Sequence, residues 1–334
     1  MGLNIATMHV EVCLLNGTSC SLALSPESLV SEVKSKAQTQ LQRSFLLLCR
    51  GEPLDPSSTL SEAGVRDGDR IDAIVRPVKL ASTVQQFALY VTGGSAVTWG
   101  EGQQMPELVG VQQIEANLTS FAAILDDGTV VTWGKPEFGG DSSQVQEQLV
   151  GVKQIRAANM SFAAILDNGS VVTWGNPEYG GDSSQVQEQL VRVQQIQATA
   201  LAFAAILDDG SVVTWGSSGL GGDSRQVQEQ LVRVQRIQAT DVAFAAILDD
   251  GSVVTWGNHE SGGDSSQVQE QLVKVQQIQA DEGAFAAILD DSSVVTWGDP
   301  EYGGDSSQVR EHWCGSSKSK QVGVRLLPSW TTAL

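Results

Sequence analysis

The residues of this chain that could do chemistry are its histidines, cysteines and carboxylates. The 334-residue sequence has three histidines, at positions 9, 259 and 312. Neither metal-ligand spacing nor the density of a secreted disulfide scaffold is found in its four cysteines, Cys13, Cys20, Cys49 and Cys314. These thiols are expected to be reduced and mostly buried. Since no nucleophile, acid–base pair or metal cluster is assembled from these side chains, we predict a protein that is not an enzyme and uses no cofactor or metal.

One aspartate recurs in a Gly-Gly-Asp-Ser sequence, at positions 141, 182, 223, 264 and 305. Calcium loops supply several oxygen ligands within about a dozen residues, whereas each of these turns supplies one carboxylate. We therefore interpret these aspartates as caps of turns rather than as metal ligands.

The element that carries this aspartate is a repeat of 41 residues. A run reading FAAILDDGSVVTWG or a near variant begins at Phe121, Phe162, Phe203, Phe244 and Phe285. A divergent copy, FALYVTGGSAVTWG, covers residues 87–100. A period of this length indicates stacked units that cannot bury their apolar faces alone.

Each repeat has the pattern of a small antiparallel sheet. FAAIL is apolar at every position, which is typical of a strand covered on both faces, and SVVTW follows it across Asn168-Gly169 or an Asp-Gly pair. Such pairs favour a turn with positive φ at both central residues, so the Asp291-Ser292 turn of the last copy is expected to be looser. VQQIQA supplies a third strand, and QVQEQLV a helical turn or an edge strand. Repeated units of this kind predict a β-propeller with one blade per repeat.

The first 77 residues predict a separate domain. Alternating apolar residues on both sides of Asn16-Gly17 indicate a β-hairpin. Apolar residues at helical spacing from Val30 follow, behind a Ser25 or Ser28 cap, and the strands FLLLC and RIDAIVR complete a ββαββ order. This order predicts a β-grasp fold. The expected domains are 1–77, a linker over 78–86, repeats over 87–311 and a divergent tail over 312–334.

Residues 8–76 resemble ubiquitin in the segments LLNGTS, LLLCRGEPL, TLSEAGVRDGDRI and DAIVR. The positions that match the hydrophobic recognition patch of ubiquitin are Leu15, Leu48 and Ile74. The resemblance implies docking to ubiquitin receptors or the proteasome, and the alternative is ordinary apolar scatter on a small sheet. Where ubiquitin ends in di-glycine, this chain continues with Arg76-Pro77, so an integral domain rather than a transferable tag is expected.

Residues 87–309 resemble the repeats of the regulator of chromosome condensation (RCC) family, in runs such as DDGSVVTWGNPEYGG. The resemblance implies an RCC-like propeller of about six to seven blades, complete or incomplete. Family repeats are usually longer, and their histidine before the central strand is missing here. Relatives include a nucleotide exchange factor for a small nuclear GTPase and large ubiquitin ligases with a HECT domain, which this sequence does not contain.

Two short windows vary between otherwise similar copies, one before each phenylalanine and one after each Trp-Gly. Loops on a rigid scaffold carry recognition, so the second window predicts a protein-binding surface, and drift in tolerant loops is the alternative. The candidate residues are Glu137, Phe138, Glu178, Tyr179, Leu220, His259, Glu260, Glu301 and Tyr302.

The net charge of −19 lies mostly in residues 78–334, which hold 13 basic against 30 acidic residues. Such a surface disfavours nucleic acid and anionic membranes and favours basic protein partners. No run approaches the ~20 apolar residues of a membrane span. We predict a monomeric, cytoplasmic or nuclear adaptor that links a client on the propeller loops to the ubiquitin–proteasome machinery. The alternatives are a substrate-recognition fragment or relative of a HECT-and-RCC-type ubiquitin ligase, an exchange-factor-like GTPase regulator, and a bare repeat scaffold.

Overall fold

The computed structural model describes residues 7–42, 45–75 and 77–307, which fall into two compact units. One unit comprises the chain up to Ala81 together with Phe87–Gly100 and Met105–Ile114. The other comprises Ser82–Gln86, Glu101–Gln104 and the chain from 115 onward. Most of the first repeat therefore groups with the N-terminal sheet, which differs from the boundaries predicted at residues 77 and 87. Among the described residues, no helix is long and apolar enough to cross a membrane.

The N-terminal sheet has five strands and one helix. Its elements are β1 (Met8–Leu14), β2 (Ser19–Leu24), α1 (Val30–Leu41), β3 (Phe45–Cys49), β4 (Glu52–Pro53) and β5 (Arg70–Val75). The strand order is β2-β1-β5-β3-β4, with β1 parallel to β5 and antiparallel to β2. The hairpin, helix and returning strands follow the predicted order, with the short β4 in addition. Because alternate strand residues point to opposite faces, one face buries Val12, Phe45 and Ile71 together with Val33 of the helix.

The predicted cap of α1 is wrong. Neither Ser25 nor Ser28 holds the N-cap position, which belongs to Leu29, a residue without a capping side chain. The backbone N–H of Val30 instead donates to the carbonyl of Ser58 at 2.9 Å. A loop distant in sequence thus satisfies a donor that a local side chain was expected to satisfy.

Residues 78–307 contain six three-stranded sheets. Their strands are β6 (Val78–Ser82), β7 (Gln86–Val91), β8 (Ala96–Gly100), β9 (Val111–Ala116), β10 (Ser120–Leu125), β11 (Val130–Gly134), β12 (Val152–Ala158), β13 (Ser161–Leu166), β14 (Val171–Gly175), β15 (Val193–Ala198), β16 (Ala202–Leu207), β17 (Val212–Gly216), β18 (Val234–Ala239), β19 (Ala243–Leu248), β20 (Val253–Gly257), β21 (Val275–Ala280), β22 (Ala284–Leu289) and β23 (Val294–Gly298). The middle strand of each sheet is formed by the first residues of the repeated FAAILDDGSVVTWG run or its variant. This part of the chain is therefore an all-β tandem repeat, as the sequence predicted. The segment predicted as a linker, 78–86, contains β6, the first strand of the first sheet.

The QVQEQLV segment forms a short helical turn rather than an edge strand. Its turns are 3₁₀ at Gln146–Gln148, Gln228–Gln230 and Gln269–Gln271. A side-chain network holds the segment against the last strand of the sheet. In the third repeat Thr173 Oγ1 and Ser183 Oγ lie 3.0 Å apart, Ser183 donates to Gln187 Oε1 at 2.8 Å, and Gln187 Nε2 donates to the Val171 carbonyl at 2.9 Å. The second, fourth and fifth repeats make the same three contacts.

The hairpin turns differ from the prediction in their backbone. Only the glycine of each Asn-Gly or Asp-Gly pair has positive φ, for example +79° at Gly169, because the loop has three residues closed by a Leu166 N–H to Ser170 carbonyl bond. The expectation of a looser last turn is wrong. Ser292 adopts a φ of +67°, and the equivalent bond from Leu289 to Ser293 is kept at 3.0 Å.

The cores lie between successive sheets, which explains why FAAIL is apolar throughout. In β16, Phe203 and Ala205 pack against the preceding repeat, whereas Ala204 and Ile206 pack against the following one. Each phenylalanine stacks on the tryptophan opposite it, with ring centroids 5.2 Å apart for Phe203 and Trp215. A strand that is buried on both faces needs apolar residues at every position.

A glycine completes each junction between repeats. Trp215 Nε1 donates to the carbonyl of Gly180 in the preceding repeat at 3.1 Å, and a Cβ on Gly180 would lie 2.6 Å from the ring of Phe203. The tryptophans at 174, 256 and 297 make the equivalent bond. The equivalent Nε1 of Trp133 is buried and has no partner among the described residues.

Candidate functional site

The predicted apolar patch lies on the face of the N-terminal sheet that α1 does not cover. Leu48 in β3 is half-buried and Ile74 in β5 is 39% exposed, and the two strands are adjacent and antiparallel. Leu15 lies in the β1–β2 turn with 80% of its side chain exposed. Leu46 was missed by the sequence reasoning, although it pairs directly with Ile74 across the two strands. The alternation within FLLLC was the available signal, since Leu46 and Leu48 must share a face.

Charged and sulfur-bearing side chains flank this patch. Asp72, opposite Leu48, pairs with Arg70 at 3.0 Å. Cys13 lies beside Asp72 on the same face but is buried, and this burial raises the pKa of its thiol despite the nearby Arg70. Burial likewise raises the pKa of Cys20 and Cys49, which are also free thiols. The prediction of buried cysteines is confirmed for these three, and Cys314 lies outside the described residues.

The predicted loop residues occupy short turns that follow the last strand of each repeat. These turns are Pro136–Phe138, Pro177–Tyr179, Ser218–Leu220, His259–Gly263 and Pro300–Tyr302. The acidic residues Glu137, Glu178, Glu260 and Glu301 are exposed, as are His259 and Tyr302. The remaining three, Phe138, Tyr179 and Leu220, are partly buried. The exposed surface of this window is therefore more acidic than aromatic.

The two variable windows of each repeat lie side by side. Ser161, just before Phe162, donates its hydroxyl to the Tyr179 carbonyl at 2.5 Å, and Thr199 donates to the Leu220 carbonyl at 3.0 Å. Asn117 and Thr240 hold the corresponding carbonyls in the second and fifth repeats. In the second to fifth repeats, each sheet therefore presents both windows at the same end.

A ladder of backbone hydrogen bonds joins the first window from one repeat to the next. The N–H of Leu118 donates to the Asn159 carbonyl, Asn159 to Ala200, Ala200 to Asp241, and Asp241 to Glu282, at distances of 3.3, 2.7, 2.7 and 3.0 Å. Because backbone groups make these bonds, side chains at the same positions are free to differ. The variable residues thus form a row with fixed spacing.

The electrostatics of this row are dominated by carboxylates. Desolvation and the neighbouring Asp281 raise the pKa of Asp241. Lys135 provides local positive charge, with its ammonium 4.6 Å from the ring centroid of Phe138. A cleft between the turns of the fourth and fifth repeats is lined by Asp223, His259 and Glu260, among others. This surface suits a basic or hydrogen-bonding protein segment.

The capping interpretation of the recurring aspartates is confirmed. Each accepts a hydrogen bond from the backbone N–H two residues later, at 2.8 to 3.0 Å. The backbone bond from Ser184 lowers the pKa of Asp182, and the Arg225 side chain and backbone together lower that of Asp223 to about 2. Within the described ranges, no cluster of three His, Cys, Asp or Glu side chains could hold a metal ion.

Comparison with known proteins identifies no family. No protein-family model and no curated protein matches the chain. Among solved structures, the chain is similar to a ubiquitin from Caldiarchaeum subterraneum at 26% identity, over 22% of this chain and 98% of that chain, with a TM-score of 0.21. The resemblances to ubiquitin and to RCC repeats therefore enter the functional argument as proposals.

Proposed function

We propose that this chain is a non-catalytic adaptor, in which a ubiquitin-like β-grasp domain docks on the ubiquitin–proteasome machinery and an RCC-like propeller, complete or incomplete, holds a client. The observation that carries the proposal is the apolar patch of Leu46, Leu48 and Ile74 on the sheet face that the helix leaves open, together with the exposed Leu15 in the β1–β2 turn. Adjacent exposed apolar side chains on a small domain are typical of a binding site.

The row of variable windows supports the client-binding half of the proposal. Rigid sheets and the backbone ladder fix the row, whereas its exposed side chains change from repeat to repeat. Its acidic character favours a client segment that is basic or rich in hydrogen-bond donors. Cytoplasm or nucleus is the compartment in which such an adaptor would meet its partners.

A second candidate is a bare repeat scaffold. It is favoured by the partial burial of Phe138, Tyr179 and Leu220, which leaves less apolar surface at the loops than the sequence predicted. In that case the apolar patch of the N-terminal sheet would bind none of the partners that recognise ubiquitin.

The test is a titration of the full chain with a labelled helical peptide that binds the apolar patch of ubiquitin, followed by fluorescence anisotropy. The patch variants are Leu15→Asp, Leu48→Asp and Ile74→Asp. Val109→Asp is the matched control, because Val109 is an exposed apolar residue outside the patch. The patch variants should raise Kd more than about tenfold, and the control should leave it unchanged.

Amide hydrogen exchange in the N-terminal sheet shows whether each variant keeps its fold, because Phe45 is the only aromatic residue of residues 1–77 and near-UV signals report mainly on the repeats. Leu15→Asp is the safest variant in this respect, because its side chain already lies in water. Equal affinity in the wild type and all three folded patch variants would refute docking through this face and favour the bare scaffold. Capture of intact proteasomes by the wild-type chain, lost in Leu15→Asp, would extend the result to the machinery itself.

A further inference from the structure

The last described sheet leaves open a face that every earlier full repeat buries. Ile247 in β19 is 5% exposed because the following repeat covers it, whereas its equivalent in β22, Ile288, is 41% exposed. Ala286 and Val294 are partly exposed on the same face. We call Ala286, Ile288 and Val294 the trailing face.

The first sheet exposes the face that, in later repeats, packs against the preceding repeat. Trp215 is 4% exposed against the preceding repeat, whereas its equivalent Trp99 is 49% exposed. Phe87 stacks on Trp99 with ring centroids 5.5 Å apart, as the buried pairs do, yet it too is exposed. Leu80, Leu89 and Val97 extend this surface. We call these five residues the leading face.

The two faces match the two halves of an internal junction. The residues of the third junction that face backward are Ile196, Phe203, Ala205, Val213 and Trp215, and they correspond in order to Leu80, Phe87, Leu89, Val97 and Trp99. The residues that receive them include Ala163, Ile165 and Val171, whose equivalents are Ala286, Ile288 and Val294. Both faces therefore have residues equivalent to those that are buried in an internal junction.

A hydrogen-bond acceptor is also in place beside the trailing face. Gly180 accepts from Trp215 and lies against Phe203, whereas no described atom approaches within 4 Å of a Cβ built on the equivalent Gly303. Gly303 has a φ of +89°, the same left-handed conformation as Gly180. Its surroundings thus have room for the incoming aromatic pair.

We propose that the leading face of one copy of this chain docks on the trailing face of a second copy, so that two arrays join head to tail through a copy of their own internal junction. Trp99 stacks with Phe87 in that contact and donates Nε1–H to the Gly303 carbonyl of the second copy. Repeat arrays that stay single end in polar capping surfaces, and neither face is polar. The contact is heterologous, so it adds chains in one direction unless the assembly closes. This replaces the monomer expected from the sequence. It requires the repeat array to be incomplete as a propeller, and it does not depend on the proposed adaptor role.

The charge of the chain supplies a signature for this contact. Each copy carries a net charge of −19, so two copies repel, while the docking faces themselves are apolar. Added salt screens the repulsion and leaves the burial of apolar surface intact. Association should therefore strengthen as salt rises.

Sedimentation of the full chain over a wide concentration range tests the proposal. Trp99→Asp places a charge in the leading face, and Ile288→Asp places a charge in the trailing face. Val232→Asp is the control, because Val232 is 47% exposed in a connecting turn between two repeats. The wild type and the control should associate with concentration, and each face variant should weaken association by more than about tenfold.

Mixing the two face variants is the decisive measurement. Trp99→Asp keeps a trailing face and Ile288→Asp keeps a leading face, so the mixture should form a one-to-one complex that grows no further. A mixture that stays monomeric would overturn the head-to-tail contact. So would a wild type that is monomeric at every concentration, as when residues 308–334 of the same chain cover the trailing face. Association that weakens with salt, or that survives in both variants alone, would have the same effect.

Discussion

The tryptophan at each junction allows a comparison within one molecule. Trp174 donates Nε1–H to the Gly139 carbonyl at 3.0 Å, whereas Trp133, equally buried, has an Nε1 without a partner among the described residues. Phenylalanine at either position removes a similar apolar area and the same N–H group. At Trp174 the change leaves a carbonyl without its donor, and at Trp133 it removes a donor that had no acceptor.

Trp174→Phe should therefore destabilise the chain more than Trp133→Phe does. A hydrogen bond contributes about 1 kcal/mol net, and a buried unpaired polar group costs about 1–3 kcal/mol, so the difference in unfolding free energy should be about 2 kcal/mol. Denaturant unfolding followed by far-UV circular dichroism measures it. Trp215→Phe and Trp256→Phe serve as repeats of the first change, since both tryptophans make the same bond. Equal losses at Trp133 and Trp174 would refute the role assigned to the junction hydrogen bond.

Three further outcomes are expected. Ser292→Gly should stabilise the chain by about 1 kcal/mol in denaturant unfolding, because glycine adopts a φ of +67° without steric cost; a loss of stability would contradict the assigned turn. Gly180→Ala should destabilise it by about 2 kcal/mol or more in the same assay, since its Cβ meets the Phe203 ring and its φ is +90°, and an unchanged midpoint would speak against the close junction. Asp241→Asn should stabilise the chain at neutral pH, because desolvation and Asp281 raise the pKa of Asp241 and so disfavour its charged form in the folded chain. That gain should shrink as pH falls through the raised pKa, where the wild-type carboxyl is already protonated, and a gain independent of pH would exclude the charge as its cause.

Local periodicity was enough to predict most of the strands and the repeat, although β4 and β6 were not among them. The all-apolar segment FAAIL predicted a strand that is buried on both faces. The spacing of 41 residues predicted units that stack on one another. The apolar patch was predicted in part, since alternation identifies which residues share a face once a strand is placed. Leu46 was missed because the patch was assigned by resemblance to ubiquitin rather than by alternation along β3.

Features that depend on distant segments could not be predicted. The N–H of Val30 is satisfied by Ser58 rather than by a neighbouring side chain, and β6 is a strand because β7 lies beside it. The ladder from Leu118 to Glu282 involves backbone groups only, so it leaves no mark in the sequence. Ile288 shows most clearly that local sequence does not determine burial. Its equivalent Ile247 is buried, whereas Ile288 in the last repeat is exposed.

Successive junctions are made by equivalent residues, so the repeat array can gain or lose whole repeats. If one unit of 41 residues between Gly139 and Trp215 were deleted, the Gly139 carbonyl would meet Trp215 as it now meets Trp174. The junction between the two repeats on either side of the deletion would then contain the same types of residue as the junctions present now. Recombination between near-identical coding segments can therefore shorten or lengthen the array by whole units without creating a new misfit, and each inserted unit brings one more pair of variable windows for selection to alter.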